Sequence, residues 1–94
     1  TICHSKTKDI SQYTKVADIV VVATGCPNTL TEDMVTENSI IIDVGVNRTD
    51  SGLVGDCAPA VINKVKAITP VPGGVGPMTV AMLMNNTVSA SERP

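Results

Sequence analysis

Residues 69–79, TPVPGGVGPMT, constrain this chain more than any other stretch. Three prolines and three glycines fall within eleven residues. Proline fixes φ and removes a backbone donor. Glycine reaches φ > 0 and lets a ligand approach the main chain. No regular helix or strand accommodates that density of both. The segment reads as a rigid loop between an apolar run at 65–68 and a helical pattern at 80–84, shaped to hold something flat.

The rest of the chain reads as alternating strands and helices. Residues 1–3 form a strand end and 4–8 a polar loop. A helix is expected over 9–17, with Asp9 as its cap and Ile10 and Tyr13 on one face. Residues 19–23, IVVVA, are an apolar run without alternation, which predicts a strand buried on both faces, as in a parallel sheet. A turn follows at 24–28, then a short helix at 31–35 capped by Thr31. Residues 39–45 repeat the strand pattern. A polar loop at 47–52 suits a hairpin, with 53–56 as an edge strand or loop. Pro59 opens a helix to about Lys66. Residues 67–69 are a third buried strand, and Pro77 suits the first position of the last helix. That helix carries Val80, Ala81, Leu83, Met84 and Val88 as a broad apolar stripe; residues 89–94 read as a polar, frayed tail. The fold class is α/β: a parallel sheet with helices on both faces.

Composition narrows the function. The chain has 94 residues, a net charge of -2 and one aromatic residue, Tyr13. Without a basic cluster or stacking aromatics, nucleic-acid binding is not expected. No run approaches the roughly 20 apolar residues that span a bilayer, so no membrane segment is expected. Cys3, Cys26 and Cys57 are odd in number and widely spaced, which favours free thiols in a reducing compartment over disulfides or zinc. The opening Thr1, inside an apparent strand, suggests a fragment truncated at its amino-terminal end.

In parallel sheets, ligands bind beyond the carboxyl ends of the strands. The loops to read are therefore those at 4–7, 24–27, 45–48 and 72–76. Neither a G-x-G-x-x-G turn nor a P-loop is present. In dinucleotide-binding sheets, a carboxylate after the second strand takes the ribose 2′-hydroxyl, whereas hydroxyl or cationic groups suit a 2′-phosphate. His4, Ser5 and Lys6 stand there with no carboxylate before Asp9. If residues 1–3 are that strand, the cofactor is NADP rather than NAD; the bland alternative is a solvated loop. His4 is the only histidine and lacks ligand partners, so no metal site is expected. Cys26 has no histidine to activate it and reads as passive. Asp43 is either catalytic or, more commonly for such a position, a structural carboxylate bonded to loop amides. Asn47 and Arg48 are turn residues or ligand contacts. Met78, Met82 and Met84 read as core filling.

Four motifs, CHSKT at 3–7, DVGVN at 43–47, VGD at 54–56 and PVPGGVGPMT at 70–79, resemble the methylenetetrahydrofolate dehydrogenase/methenyltetrahydrofolate cyclohydrolase family. The likeness runs from Thr1 to about Val88, and the proline-glycine string is its most specific part. The resemblance implies a Rossmann-like NAD(P)-binding domain over 1–88. The parent enzyme would oxidise 5,10-methylenetetrahydrofolate with NADP, then hydrolyse the methenyl product to 10-formyltetrahydrofolate. It would belong to one-carbon metabolism, feeding purine biosynthesis. It also implies roles: His4 and Ser5 beside the 2′-phosphate, Thr24 and Gly25 lining the cofactor, and Val46 at the nicotinamide. Pro72, Gly73, Gly74, Val75 and Gly76 would wall the folate. The family's Tyr-x-x-x-Lys motif and Gly-Arg-Ser turn are absent, so no catalytic residue is assigned here, and the 94 residues alone are expected to be inactive. Cys57, Ala58 and Pro59 depart from the family's usual run and put that loop's geometry in question. The implied partners are folate, the missing amino-terminal domain and a second copy in a homodimer. The cytoplasm is the expected compartment, with the mitochondrion left open. Two rival readings remain at this level: a binding module that has lost its active site, and an unrelated NAD(P) oxidoreductase.

Overall fold

The structure is a computed structural model that describes residues 1–93. Its elements run α1 (Ser11–Thr14), β1 (Ile19–Val22), a 3₁₀ turn (Glu32–Met34), β2 (Ile40–Asp43), β3 (Asn47–Thr49), β4 (Gly52–Val54), α2 (Pro59–Lys64), β5 (Ala67–Ile68) and α3 (Val75–Ser91). Strands β1, β2 and β5 make one parallel sheet in that order. β3 and β4 form a separate antiparallel hairpin.

The parallel register pairs Val20 with Ile41 and Val22 with Asp43. These side chains share one face of the sheet, and Leu30, Val35 and Val61 close over it to form the core. Ile41 and Val61 are fully buried. Each such aliphatic side chain contributes about 1.5–3 kcal/mol on leaving water. Pro59 starts α2 as expected, and that helix supplies Val61.

Burial on both strand faces does not hold. β1 alternates, with Ile19 59% and Val21 64% exposed. The continuous apolar run belongs to a doubly covered strand, but no element of the described chain packs on this second face. β5 likewise is not buried; Ala67 is exposed and Ile68 half-buried. Residues 1–3 form no strand, and Ile2 is 94% exposed, because no strand among the described residues pairs with them.

The helix limits also shift. α1 spans one turn rather than 9–17, and Asp9 takes a left-handed φ of 44° instead of capping it. Isolated turns are marginal unless tertiary packing extends them, and Tyr13 is 40% exposed. Residues 32–34 form a 3₁₀ turn that Thr31 does not cap; its hydroxyl bonds the Asp33 carboxylate. α3 begins at Val75, so Pro77 sits third in the helix. Proline is tolerated there because first-turn N–H groups have no helical acceptor. The helix runs on through Ser91, so residues 89–91 are helical rather than a tail; Pro94 lies outside the described residues. Its apolar stripe is bare. No α3 residue is buried, and Met78, Met82 and Met84 are 47–67% exposed rather than core filling.

Candidate functional site

Because β1, β2 and β5 are parallel, their carboxyl ends lie along one edge of the sheet. Residues Thr24–Gly25, Val44–Asn47 and the 69–76 loop all issue from that edge. Long-range hydrogen bonds join them. The Asp43 N–H donates to the Thr69 hydroxyl at 2.9 Å, tying the end of β2 to the start of the proline-glycine loop. The Val44 N–H donates to the Val22 carbonyl at 2.8 Å, tying it to β1.

Two buried carboxylates organise the rest. Asp56 is 0% and Asp43 4% exposed. One Asp56 oxygen, Oδ2, accepts from the Thr24 N–H at 2.7 Å, the Gly25 N–H at 3.0 Å and the Thr24 hydroxyl at 3.0 Å. The other, Oδ1, accepts from Asn47 Nδ2 at 2.8 Å. Burial alone would raise this carboxyl, but the bonds from Asn47, Thr24 and Gly25 outweigh it and hold the group below its ordinary value. Asp43 accepts from the N–H groups of Gly45, Asp56 and Cys57 at 3.0–3.2 Å. It is thus the structural carboxylate bonded to loop amides that the residue pattern favoured.

The two carboxylates cross over each other's glycines. A Cβ on Gly45 would sit inside the Asp56 carboxylate, and one on Gly55 inside that of Asp43. Only glycine fits at either position. Cys57 lies beside both acids; burial first, then the charge of Asp43, pushes its thiol up to about 12. The unusual run at 57–59 is accommodated simply. The Ala58 N–H donates to the Leu30 carbonyl at 2.8 Å, and Pro59 opens α2.

The edge facing solvent is consequently free of acid and bulk. Thr24, Gly25 and Val46 are exposed, and both nearby carboxylates are turned inward with internal donors. Such an edge accepts a phosphorylated nucleotide without charge repulsion. Beyond β5, the loop folds back on itself: a Cβ on Gly74 would overlap the Pro70 carbonyl, whereas one on Gly76 meets open space. The Val71–Pro72 peptide is cis.

The structure therefore brings Thr24, Gly25 and Val46 together, with residues 72–76 on the same edge. His4 and Ser5 lie in an exposed turn of their own. Their turn is held locally: the His4 N–H donates to the Thr7 hydroxyl at 2.9 Å, and the Lys6 N–H to His4 Nδ1 at 3.0 Å. No hydrogen bond joins them to the sheet edge among the described residues. Asn47 proves structural, donating also to the Gly55 carbonyl at 3.2 Å, while Arg48 is exposed. Sequence reasoning gave Asp56 no role of its own. The signal was that each acid has a glycine close by in sequence, Gly45 two residues after Asp43 and Gly55 just before Asp56.

Comparison with known proteins agrees with this geometry. All of residues 1–94 match the family described as tetrahydrofolate dehydrogenase/cyclohydrolase, NAD(P)-binding domain. The bifunctional protein FolD of Campylobacter jejuni is 55% identical over 98% of this chain, and that of Sulfurihydrogenibium sp. 57% over 99%. The chain spans about a third of the length of these relatives, 33% in both cases. Among solved structures, the bifunctional 5,10-methylenetetrahydrofolate dehydrogenase/cyclohydrolase of Thermoplasma acidophilum superposes with a TM-score of 0.92. It is 49% identical, over 98% of this chain and 34% of its own. The Trypanosoma brucei enzyme, solved with NADP cofactor and an inhibitor, gives 0.82 at 38% identity, covering all of this chain and 36% of its own. The open-edged Rossmann-like sheet, its paired buried carboxylates and its proline-glycine loop thus belong to the NAD(P)-binding domain of the tetrahydrofolate dehydrogenase/cyclohydrolase family.

Proposed function

We propose that this domain is the cofactor-binding part of an enzyme that oxidises 5,10-methylenetetrahydrofolate with NADP and hydrolyses the methenyl product to 10-formyltetrahydrofolate. The observation that carries the reading is the solvent-facing strand edge, where Thr24, Gly25 and Val46 sit beside the proline-glycine loop with no acidic group facing them. Bound NADP supplies the hydride acceptor. Thr24 and Gly25 line its path, and Val46 gives the nicotinamide an apolar contact. Residues Pro72, Gly73, Gly74, Val75 and Gly76 wall the folate on the other side. The chain's contribution is to hold two flat rings in register, which lowers the entropic part of the barrier. His4 and Ser5, in a turn without a carboxylate, take the 2′-phosphate.

The proton-transfer chemistry belongs to a further domain of the parent chain. The bare stripe of α3 and the open face of β1 support a longer protein that covers them. Three free cysteines support a reducing compartment, and we place the enzyme in the cytoplasm, as a homodimer, in one-carbon metabolism that serves purine biosynthesis.

The test is methylenetetrahydrofolate-dependent reduction of NADP and NAD by the full-length protein. We expect kcat/KM to favour NADP by about tenfold or more, equivalent to roughly 1.4 kcal/mol. Preference for NAD would overturn the assignment of His4 and Ser5; no folate-dependent reduction of either would overturn the function.

A further inference from the structure

Asp56 is fully buried and itself faces no solvent. Yet it holds both walls of the strand edge at once. Its Oδ2 gathers the Thr24 and Gly25 amides at 2.7 and 3.0 Å, and its Oδ1 takes Asn47 Nδ2 at 2.8 Å, one residue beyond Val46. Its own N–H donates to Asp43 at 3.0 Å, and its carbonyl accepts from the Thr29 N–H at 2.8 Å. Two loops that leave different strands are thereby set in position by one carboxylate. Each loop has bonds of its own, Thr29 to the Cys26 carbonyl in the first and the Gly45 N–H to Asp43 in the second, but Asp56 is the side chain that bonds both. Gly25 has φ 74°, and the 24–28 turn is otherwise exposed.

We propose that Asp56 is a positioning residue for the cofactor: it couples the Thr24–Gly25 turn to the Val46–Asn47 turn, so that both meet the nucleotide in one fixed spacing. The inference rests on the NADP reading above. A carboxylate suits the task because it accepts only, and four donors converge on it. An amide in its place presents one oxygen and one donor. If the oxygen keeps Thr24 and Gly25, the amide nitrogen faces the Asn47 amide donor; if it keeps Asn47, the nitrogen faces three donors.

The experiment is steady-state kinetics and NADP titration on the full-length protein, for wild type, Asp56→Asn, Asn47→Ala and Val61→Ala. Val61 is fully buried in the core, makes no hydrogen bond to Asp56, Thr24, Gly25 or Asn47, and controls for lost stability. Asp56→Asn is expected to raise the NADP Kd and KM about tenfold, with kcat at saturating NADP within about twofold of wild type. Asn47→Ala cuts one of the four bonds and is expected to raise KM for NADP about threefold, and it carries the test if Asp56→Asn does not fold. Val61→Ala is expected to lower the melting temperature while leaving the NADP Kd within about twofold. An unchanged NADP Kd in both network variants overturns the proposal, as does an equal rise in Val61→Ala. Failure of the wild type to bind NADP is a different result, which overturns the functional reading itself.

Discussion

Replacing Gly45 by alanine places a methyl group where the Asp56 carboxylate now lies. Gly45 is buried and the carboxylate is enclosed, so neither can move without cost. If Asp56 swings away, the Thr24 and Gly25 N–H groups, the Thr24 hydroxyl and Asn47 Nδ2 lose their shared acceptor. Hydrogen bonds to a charged group contribute about 1.5–3 kcal/mol each. Thr24 and Gly25 are exposed and recover water, so the loss is smaller than four full bonds. The carboxylate, by contrast, would have to leave a dry site or stay there poorly paired. A net destabilisation of about 2–4 kcal/mol follows, against a typical total of about 5–15. Urea unfolding of the full-length protein measures it, with amide exchange at Thr24 and Gly25 locating it. Gly76→Ala is the control, since a Cβ there meets nothing within 4 Å; it should change stability by no more than about 1 kcal/mol, in the favourable direction. A Gly45→Ala loss below about 0.5 kcal/mol would refute the interlocked-carboxylate argument.

Further outcomes follow from the same geometry. Because its bonds to Asn47, Thr24 and Gly25 hold the Asp56 carboxyl below its ordinary value of 3.8, its contribution to stability is present above that value and is lost as pH falls through the lower folded value. Stability in urea should therefore show an acid-side loss below about pH 4 that Asp56→Asn reduces. Cys57, with its thiol raised to about 12, stays protonated at pH 8. Alkylation of the native protein at that pH, read by peptide mass mapping, should modify the exposed Cys3 and Cys26 well before Cys57, and equal rates would contradict this. Gly76→Val should raise KM for folate about tenfold with little change in melting temperature. Gly74 is the wrong site for that test, because its substituent strikes the Pro70 carbonyl and disturbs the loop itself. The isolated 94-residue chain should show no dehydrogenase turnover.

Much of the candidate site was legible in order along the chain. The β-branched runs at 19–23 and 39–45, and the loops that end them, mark where parallel strands finish. The strand edge then follows from topology, since parallel strands end on the same side. The role of Asp43 could also be weighed from its place at a strand end. Asp56 could not, because its donors are 9 to 32 residues away and meet it only once β1 and the hairpin are assembled.

The sequence by itself determined the order of the three parallel strands with the loops that end them, and the family, because β propensity, turn chemistry and motif are properties of short segments; it misplaced a strand at 1–3 and read the strand at 47–49 as loop. It also marked residues 69–74 as loop, whereas residues 75–79, expected in the same loop, form the first turn of α3, because Pro77 falls where the helix needs no N–H donor. Only the tertiary structure decided which apolar residues are buried. Val20 and Val22 face the core while Ile19 and Val21 face water, although nothing in the run IVVV distinguishes them. It alone placed Gly45 against Asp56 and Gly55 against Asp43. It alone left the α3 stripe bare. Burial and long-range hydrogen bonding are relations between segments, and a segment does not carry its partner's position within itself.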